Sequence, residues 1–157
     1  MASTPQHLFS WQDLESSPEI FRFRLVLEQF DDEPLMRALE ADRGPRGRDD
    51  YPLRAVWNSY LAGLVFKHDS LGSLIAELGR NGELREACGF DPLLGAKAVP
   101  SRFVYMRLMK KLQKHEALLL AAFHGLVRRA GQLLPDLGES LAVDGKAIRA
   151  LGKHDRE

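Results

Sequence analysis

The segment from Ser101 to Lys114 has the residue pattern that most clearly suggests chemistry, because it combines five basic residues with no acidic one. At about 100° of rotation per residue in an α-helix, four of these cations fall within one narrow sector. They are Arg107, Lys110, Lys111 and Lys114. The opposite side is apolar and consists of Tyr105, Leu108, Met109 and Leu112. The pattern predicts a helix with one face toward the core and a basic face that nothing in the helix neutralises.

Such a basic face is suited to the phosphates of double-stranded DNA, because cations that neutralise phosphates release counterions and give salt-sensitive affinity. Arg102 and Arg107 are the candidates for reading bases, since the guanidinium fork matches guanine edges. Three predicted helices, at 70–79, 82–88 and 101–114, are typical of a helix-turn-helix-like unit, although its second loop is longer than that motif allows. A solvated basic face on an ordinary surface helix is the alternative.

Helical signals flank this unit on both sides. Caps, early prolines and apolar residues at helical spacing predict further helices that begin near 17, 33, 53 and 116. The period changes only at 140–145 (SLAVDG), where alternation predicts one β-strand. The predicted fold is therefore mainly α, with a multi-helix N-terminal part followed by a single strand.

The polar run at 42–50 (DRGPRGRDD) is the best linker in the chain, since it contains two glycines and a proline. We therefore predict a helical lead-in or hairpin at 1–48, a helical DNA-binding domain at 50–138 and the start of another domain at 139–157.

Asp144 follows the predicted strand and precedes Gly145. A carboxylate at a strand end, with a glycine beside it, is one way to present a ligand to Mg²⁺. An Asp-Gly pair on its own is more often a simple turn.

The sequence around Asp144 resembles the insertion-sequence transposases whose catalytic core is RNase H-like and carries a DDE acidic triad. Leu141 to Ile148 (LAVDGKAI) is similar to the strand that opens that core. The stretches 53–64, 73–80, 81–89 and 100–112 are similar to the family's N-terminal helices, so the resemblance covers about residues 50–150. It implies that Asp144 is the first acid of the triad, and that Mg²⁺ or Mn²⁺ ions assist attack on DNA phosphodiesters in the whole enzyme.

The chain departs from the family pattern after Asp144. The second and third acids would lie beyond residue 157, and Asp155 and Glu157 come too soon to sit on separate elements of such a core. One carboxylate cannot fix two Mg²⁺ ions in a defined site. We therefore expect a truncated catalytic domain, no bound cofactor and no activity from this chain alone.

The composition excludes several other classes of protein. The 157 residues are 45% hydrophobic and carry 22 basic and 22 acidic side chains, which argues against wholesale disorder. No apolar run is long enough for a membrane span, and no signal segment begins the chain. Cys88 is the single cysteine, which excludes a cysteine-based metal site and favours a cytoplasmic setting.

Residues 1–50 have a net charge of −5 and residues 101–157 of +5, a modest indication of a polyanion partner. No motif indicates a small-molecule substrate.

The leading hypothesis is the DNA-binding N-terminal portion of a DDE transposase, involved in DNA transposition and recombination. One alternative is a helical interaction module that forms a homo-oligomer through Leu25, Phe30, Leu35 and Met36. The other is a stand-alone helix-turn-helix regulator, which would have no use for a strand at 140–150.

Overall fold

A computed structural model describes residues 17–43 and 51–134, and this part of the chain is mainly helical, with no strand. Its seven α-helices are α1 (Pro18–Gln29), α2 (Glu33–Ala41), α3 (Leu53–Val65), α4 (Leu71–Arg80), α5 (Gly82–Cys88), α6 (Arg102–Lys114) and α7 (Glu116–Leu133). A 3₁₀ helix, Pro92–Ala98, lies between α5 and α6. The predicted mainly helical class is confirmed for these residues. The strand predicted at 140–145 lies outside them.

Local capping explains where several helices begin and end. The Ser17 side chain accepts a hydrogen bond from the backbone N–H of Ile20 at the start of α1. Ser70 and Ser73 form a reciprocal capping box at the start of α4. Gly89 ends α5 with φ of 93°, a left-handed conformation that glycine adopts without the steric cost of a side chain. These boundaries agree with those the sequence predicts.

The turn between α4 and α5 is tighter than the sequence suggests. The helices predicted at 70–79 and 82–88 leave two residues between them, yet α4 continues to Arg80 and only Asn81 separates the two helices. The Asn81 side chain accepts from the N–H of Leu84, 2.9 Å away, and donates to Glu77 Oε1 at 3.0 Å. One amide group thus caps the new helix while bonding back to the old one.

Helix α3 lies at the centre of the core. Seven of its residues are buried, and they include small side chains as well as large ones: Ala55, Val56, Trp57, Ser59, Leu61, Ala62 and Gly63. A Cβ atom at Gly63 would lie 3.0 Å from Leu74 Cδ2, so the absence of a side chain on α3 leaves room for the Leu74 side chain of α4. Helix α4 also packs against α5 and α6.

The N-terminal helices share this core rather than standing apart from it. Buried residues of α1 and α2 belong to the same cluster as those of α3 to α7. Asp32, 5% exposed, accepts hydrogen bonds from the Trp57 indole N–H and the Arg54 guanidinium, which connects the start of α2 to α3. The core therefore joins residues on both sides of the domain boundary predicted at 48–50, and the three-domain division stays a prediction.

Candidate nucleic-acid interface

The inner side of α6 anchors the helix on the core. Tyr105, Leu108 and Leu112 are buried. The Tyr105 hydroxyl lies 2.8 Å from Ser59 Oγ, and the Ser59 hydroxyl donates to the carbonyl of Val56. Because Ser59 has only one proton to give, Tyr105 is the donor in their shared bond. Burial raises the pKa of Tyr105 to about 12, against a smaller lowering by the bond to Ser59. This fixed contact decides which side of α6 faces outward.

The outer side of α6 carries the predicted cations. The exposed members are Arg102, Arg107, Lys110 and Lys114. None of the four forms an ion pair or hydrogen bond with another residue in 17–43 or 51–134. Helix α6 itself contains no acid. Three of the five predicted DNA-binding side chains, Arg107, Lys110 and Lys114, therefore share one exposed sector of α6 that is available to a polyanion, and Arg102 is exposed at the N-terminal end of the helix.

Lys111 differs from the other four. It is only partly exposed, and its Nζ donates to the backbone carbonyl of Asp42, 3.3 Å away, at the end of α2. The Asp42 carboxylate lies 3.1 Å from Nε2 of His115, which follows α6. These contacts hold the C-terminal end of α6 against the end of α2. The Lys111 ammonium group therefore already has a hydrogen-bond partner within the protein.

Two exposed apolar residues on α6 were not part of the sequence prediction. Phe103 is 72% exposed and Met106 is 44% exposed. The signal was present in the sequence, because Phe103 precedes Arg107 by four residues and therefore lies on the same stripe of the helix. Ser101 occupies the N-cap position of α6, but its side chain makes no capping hydrogen bond.

Met109, predicted on the inner face, lies at its edge and is 39% exposed. It lines an open cleft of about 510 Å³ between α3, α6 and α7. The aromatic residues of this cleft are Trp57, Tyr60 and Phe123. Trp57 is fully buried and Tyr60 packs against the core.

The basic pair on α7 is divided between two roles. Arg129 Nη1 donates to the backbone carbonyl of Gln29 at 2.6 Å, and its guanidinium lies 4.0 Å from the Asp31 carboxylate. Arg128 is exposed beside the cleft between α2 and α7. Arg129 thus serves the contact between α7 and the end of α1, and the pair does not extend the basic surface of α6 as two free cations.

The interaction surface proposed for the N-terminal helices is wrong in its placement. Phe30, Leu35 and Met36 are buried in the core, and only Leu25 of the four is exposed. The physical reason is that α2 packs its apolar side against α3 and α7. Exposed apolar side chains occur instead on α7 and directly after it, namely Leu120, Val127 and Leu133 on the helix and Leu134 at its C-cap.

The predicted catalytic residue, Asp144, lies outside the described residues. Within 17–43 and 51–134, no group of three or more His, Cys, Asp or Glu side chains could hold a metal ion. Cys88 is buried, and burial raises the pKa of its thiol to about 12, so it is not an activated nucleophile. No helix in the described part is long and apolar enough to cross a membrane.

Comparison of the chain with protein families, curated proteins and solved structures gives no match.

Proposed function

We propose that this chain binds DNA through the exposed basic face of α6 and is the helical N-terminal portion of a DDE transposase. The observation that carries the DNA-binding part is the presence of four exposed cations on α6 without a carboxylate partner in the described residues. A basic face on a rigid helix is the electrostatic footprint expected of a nucleic-acid-binding surface.

The cations of α6 are suited to different contacts. Lys110 and Lys114 carry compact, strongly hydrated charges on flexible stems, which suit phosphates. Arg102 and Arg107 can present a planar fork to a guanine edge or a phosphate. The Tyr105–Ser59 hydrogen bond and the buried leucines hold the helix in place, so the backbone positions that carry the cations keep a fixed spacing.

Fluorescence anisotropy with a labelled duplex across a series of salt concentrations tests DNA binding. We expect affinity to fall as salt rises, with a log–log slope of about −0.9 for each phosphate neutralised. Lys110→Ala should weaken binding to all sequences about equally and flatten the slope by about 1.

Lys111→Ala is the matched control, because Lys111 is next to Lys110 in sequence but its Nζ already donates a hydrogen bond to the Asp42 carbonyl. It should change the slope much less than Lys110→Ala. Affinity that does not depend on salt, or that is absent at low salt, would contradict the proposal. Equal effects of the two variants would contradict the assignment of the surface.

The transposase assignment rests on the resemblance around Asp144 and on the order of the helices that precede it. The divalent ions implied for the whole enzyme, Mg²⁺ or Mn²⁺, would need acids that residues 1–157 do not supply at suitable positions. We expect this chain to leave a DNA substrate uncut in the presence of either metal. The DNA that follows codon 157 tests the assignment: remnants or in-frame codons for the second and third acids support it, and their absence opposes it.

A second candidate function is protein interaction through α7, which is favoured by its exposed apolar side chains. Val127 is 60% exposed and Leu133 is 81% exposed. Light scattering across a concentration series should then show a homo-oligomer, and Val127→Ser should shift the equilibrium toward the monomer. A monomer at all concentrations would remove this candidate and leave the DNA proposal intact.

A further inference from the structure

The apolar tip at the N-terminal end of α6 has no evident structural role. It consists of Phe103 and Met106, which are 72% and 44% exposed. Neither residue belongs to the core cluster or packs against it, and Phe103 forms no aromatic pair in the described residues. A phenylalanine ring left in water forgoes the free energy that its burial would contribute. A ligand that covers the Phe103 ring would gain this free energy of burial on binding.

The charges around the ring narrow the chemistry of that ligand. Arg102 adjoins Phe103 in sequence, and Arg107 lies one turn further along the same side, about 6 Å along the helix axis. Lys110 follows after about another 4.5 Å. Because these cations are unpaired and α6 has no acid, the partner that fits is anionic and also offers an apolar face.

DNA offers a large apolar face only on its bases. In a paired, stacked duplex the base faces are covered, and the groove edges present polar atoms apart from the thymine methyl group. An unpaired base exposes its face, and stacking on an aromatic side chain is a common way in which proteins bind single strands. A ring at one end of a line of cations could hold the base while the cations hold the phosphates that follow.

Resting on the proposed function of α6 in DNA binding, we propose that Phe103 stacks on an unpaired base, so that α6 prefers single-stranded or locally unpaired DNA to an intact duplex. Arg107 and Lys110 contact the adjacent phosphates. Met106, on the neighbouring stripe, covers the edge of the stacked base.

The experiment compares three labelled probes at one salt concentration: a single strand, the perfect duplex of the same sequence, and that duplex with one unpaired thymine. We expect the full chain to bind the first and third more tightly than the second. Phe103→Ala should lose about tenfold in affinity for these two probes and less than about twofold for the perfect duplex. Phe103→Tyr should restore the preference, because the ring is retained.

Two further measurements separate stacking from a general effect on the fold. Phe21→Ala is the matched control, since Phe21 is 57% exposed on α1, a helix of mixed charge, and should leave all three affinities unchanged. Phe103→Trp should show additional quenching of tryptophan emission when the single strand binds, beyond the change seen in the parent protein. The salt slope of Phe103→Ala should equal that of the parent, because no charge is removed.

Several outcomes overturn the inference. Equal loss of affinity for all three probes, or no loss at all, shows that Phe103 does not stack on a base. Loss of self-association in Phe103→Ala without any change in DNA affinity shows that the tip is a protein contact. Both results leave salt-dependent duplex binding, and with it the proposed function, standing. Absence of binding to every probe at low salt removes the proposed function itself.

Discussion

Helices α3 and α6 have the same length, 13 residues, and both carry an apolar stripe, yet the protein uses them differently. Helix α3 is buried on several sides, and its single cation, Arg54, is paired with Asp32 and Glu33. Helix α6 is buried on one side, and most of its cations are exposed and unpaired. A count of charges on a helix therefore does not show which charges are available to a ligand. That availability depends on the neighbouring elements.

The largest expected effect concerns the indole at the centre of α3. Trp57→Ala should lower the free energy of unfolding by about 3–5 kcal/mol, because it opens a cavity and removes a hydrogen-bond donor to Asp32. Urea unfolding followed by far-UV circular dichroism measures it. Phe103→Ala, an aromatic truncation on the exposed side of α6, should change stability by less than about 0.5 kcal/mol. Similar losses of unfolding free energy in the two variants would show that the aromatic residues of α3 and α6 contribute equally to stability.

The buried carboxylate beside α3 should give the next effect. Asp32→Ala leaves the Trp57 N–H without its acceptor and removes a partner of Arg54, so we expect a loss of about 2–3 kcal/mol. Asp31→Ala is the matched control, because its side chain is 65% exposed and lies 4.0 Å from Arg129. It should cost less than about 0.5 kcal/mol. Equal urea midpoints for the two variants would show that the Asp32 network does not stabilise the fold.

Arginine substitutions on α3 and α6 should have opposite effects on stability and on DNA affinity. Arg107→Ala should weaken DNA binding by about 1–2 kcal/mol and leave the urea midpoint unchanged, because Arg107 has no partner within the described residues. Arg54→Ala should lower the urea midpoint and leave the DNA affinity of the folded protein unchanged. Anisotropy and urea unfolding of both variants check the pair. Loss of DNA affinity in Arg54→Ala alone would place the interface elsewhere.

The hydrogen bond that joins the two helices should give the smallest effect. Tyr105→Phe removes the 2.8 Å contact with Ser59 and should cost about 1 kcal/mol. The pKa of Tyr105 is about 12 in the folded protein against 10.0 for the free group, so the neutral form is favoured by folding. The contribution of the neutral Tyr105 hydroxyl to the free energy of unfolding is full below about pH 10 and is lost as the pH rises toward about 12.

Stability measured from pH 9 to 12 tests this dependence. The parent should lose more stability across the window than Tyr105→Phe does. Cys88, whose pKa is likewise raised by burial, is present in both proteins and contributes a decline to each. Parallel curves would show that Tyr105 is not protected from ionisation.

Much of the helical layout follows from local signals. Ser17, Ser70 and Gly89 mark helix ends that capping chemistry predicts. The burial of small residues was not predictable, because Ser59 and Gly63 carry no hydrophobic signal and become core residues only when α4 and α6 pack against them. The candidate site shows the same division. The basic sector of α6 was visible in the sequence, whereas the engagement of Lys111 by Asp42 joins residues 69 positions apart.

The amino-acid sequence by itself determined that most of the described chain is helical and that α6 has one apolar and one basic side, since both properties depend on neighbours within a few residues. Only the tertiary structure decided which cations are free, that Phe30, Leu35 and Met36 are core residues, and that Phe103 projects into solvent. These features depend on contacts between distant segments, and such contacts have no periodicity along the chain from which they could be read.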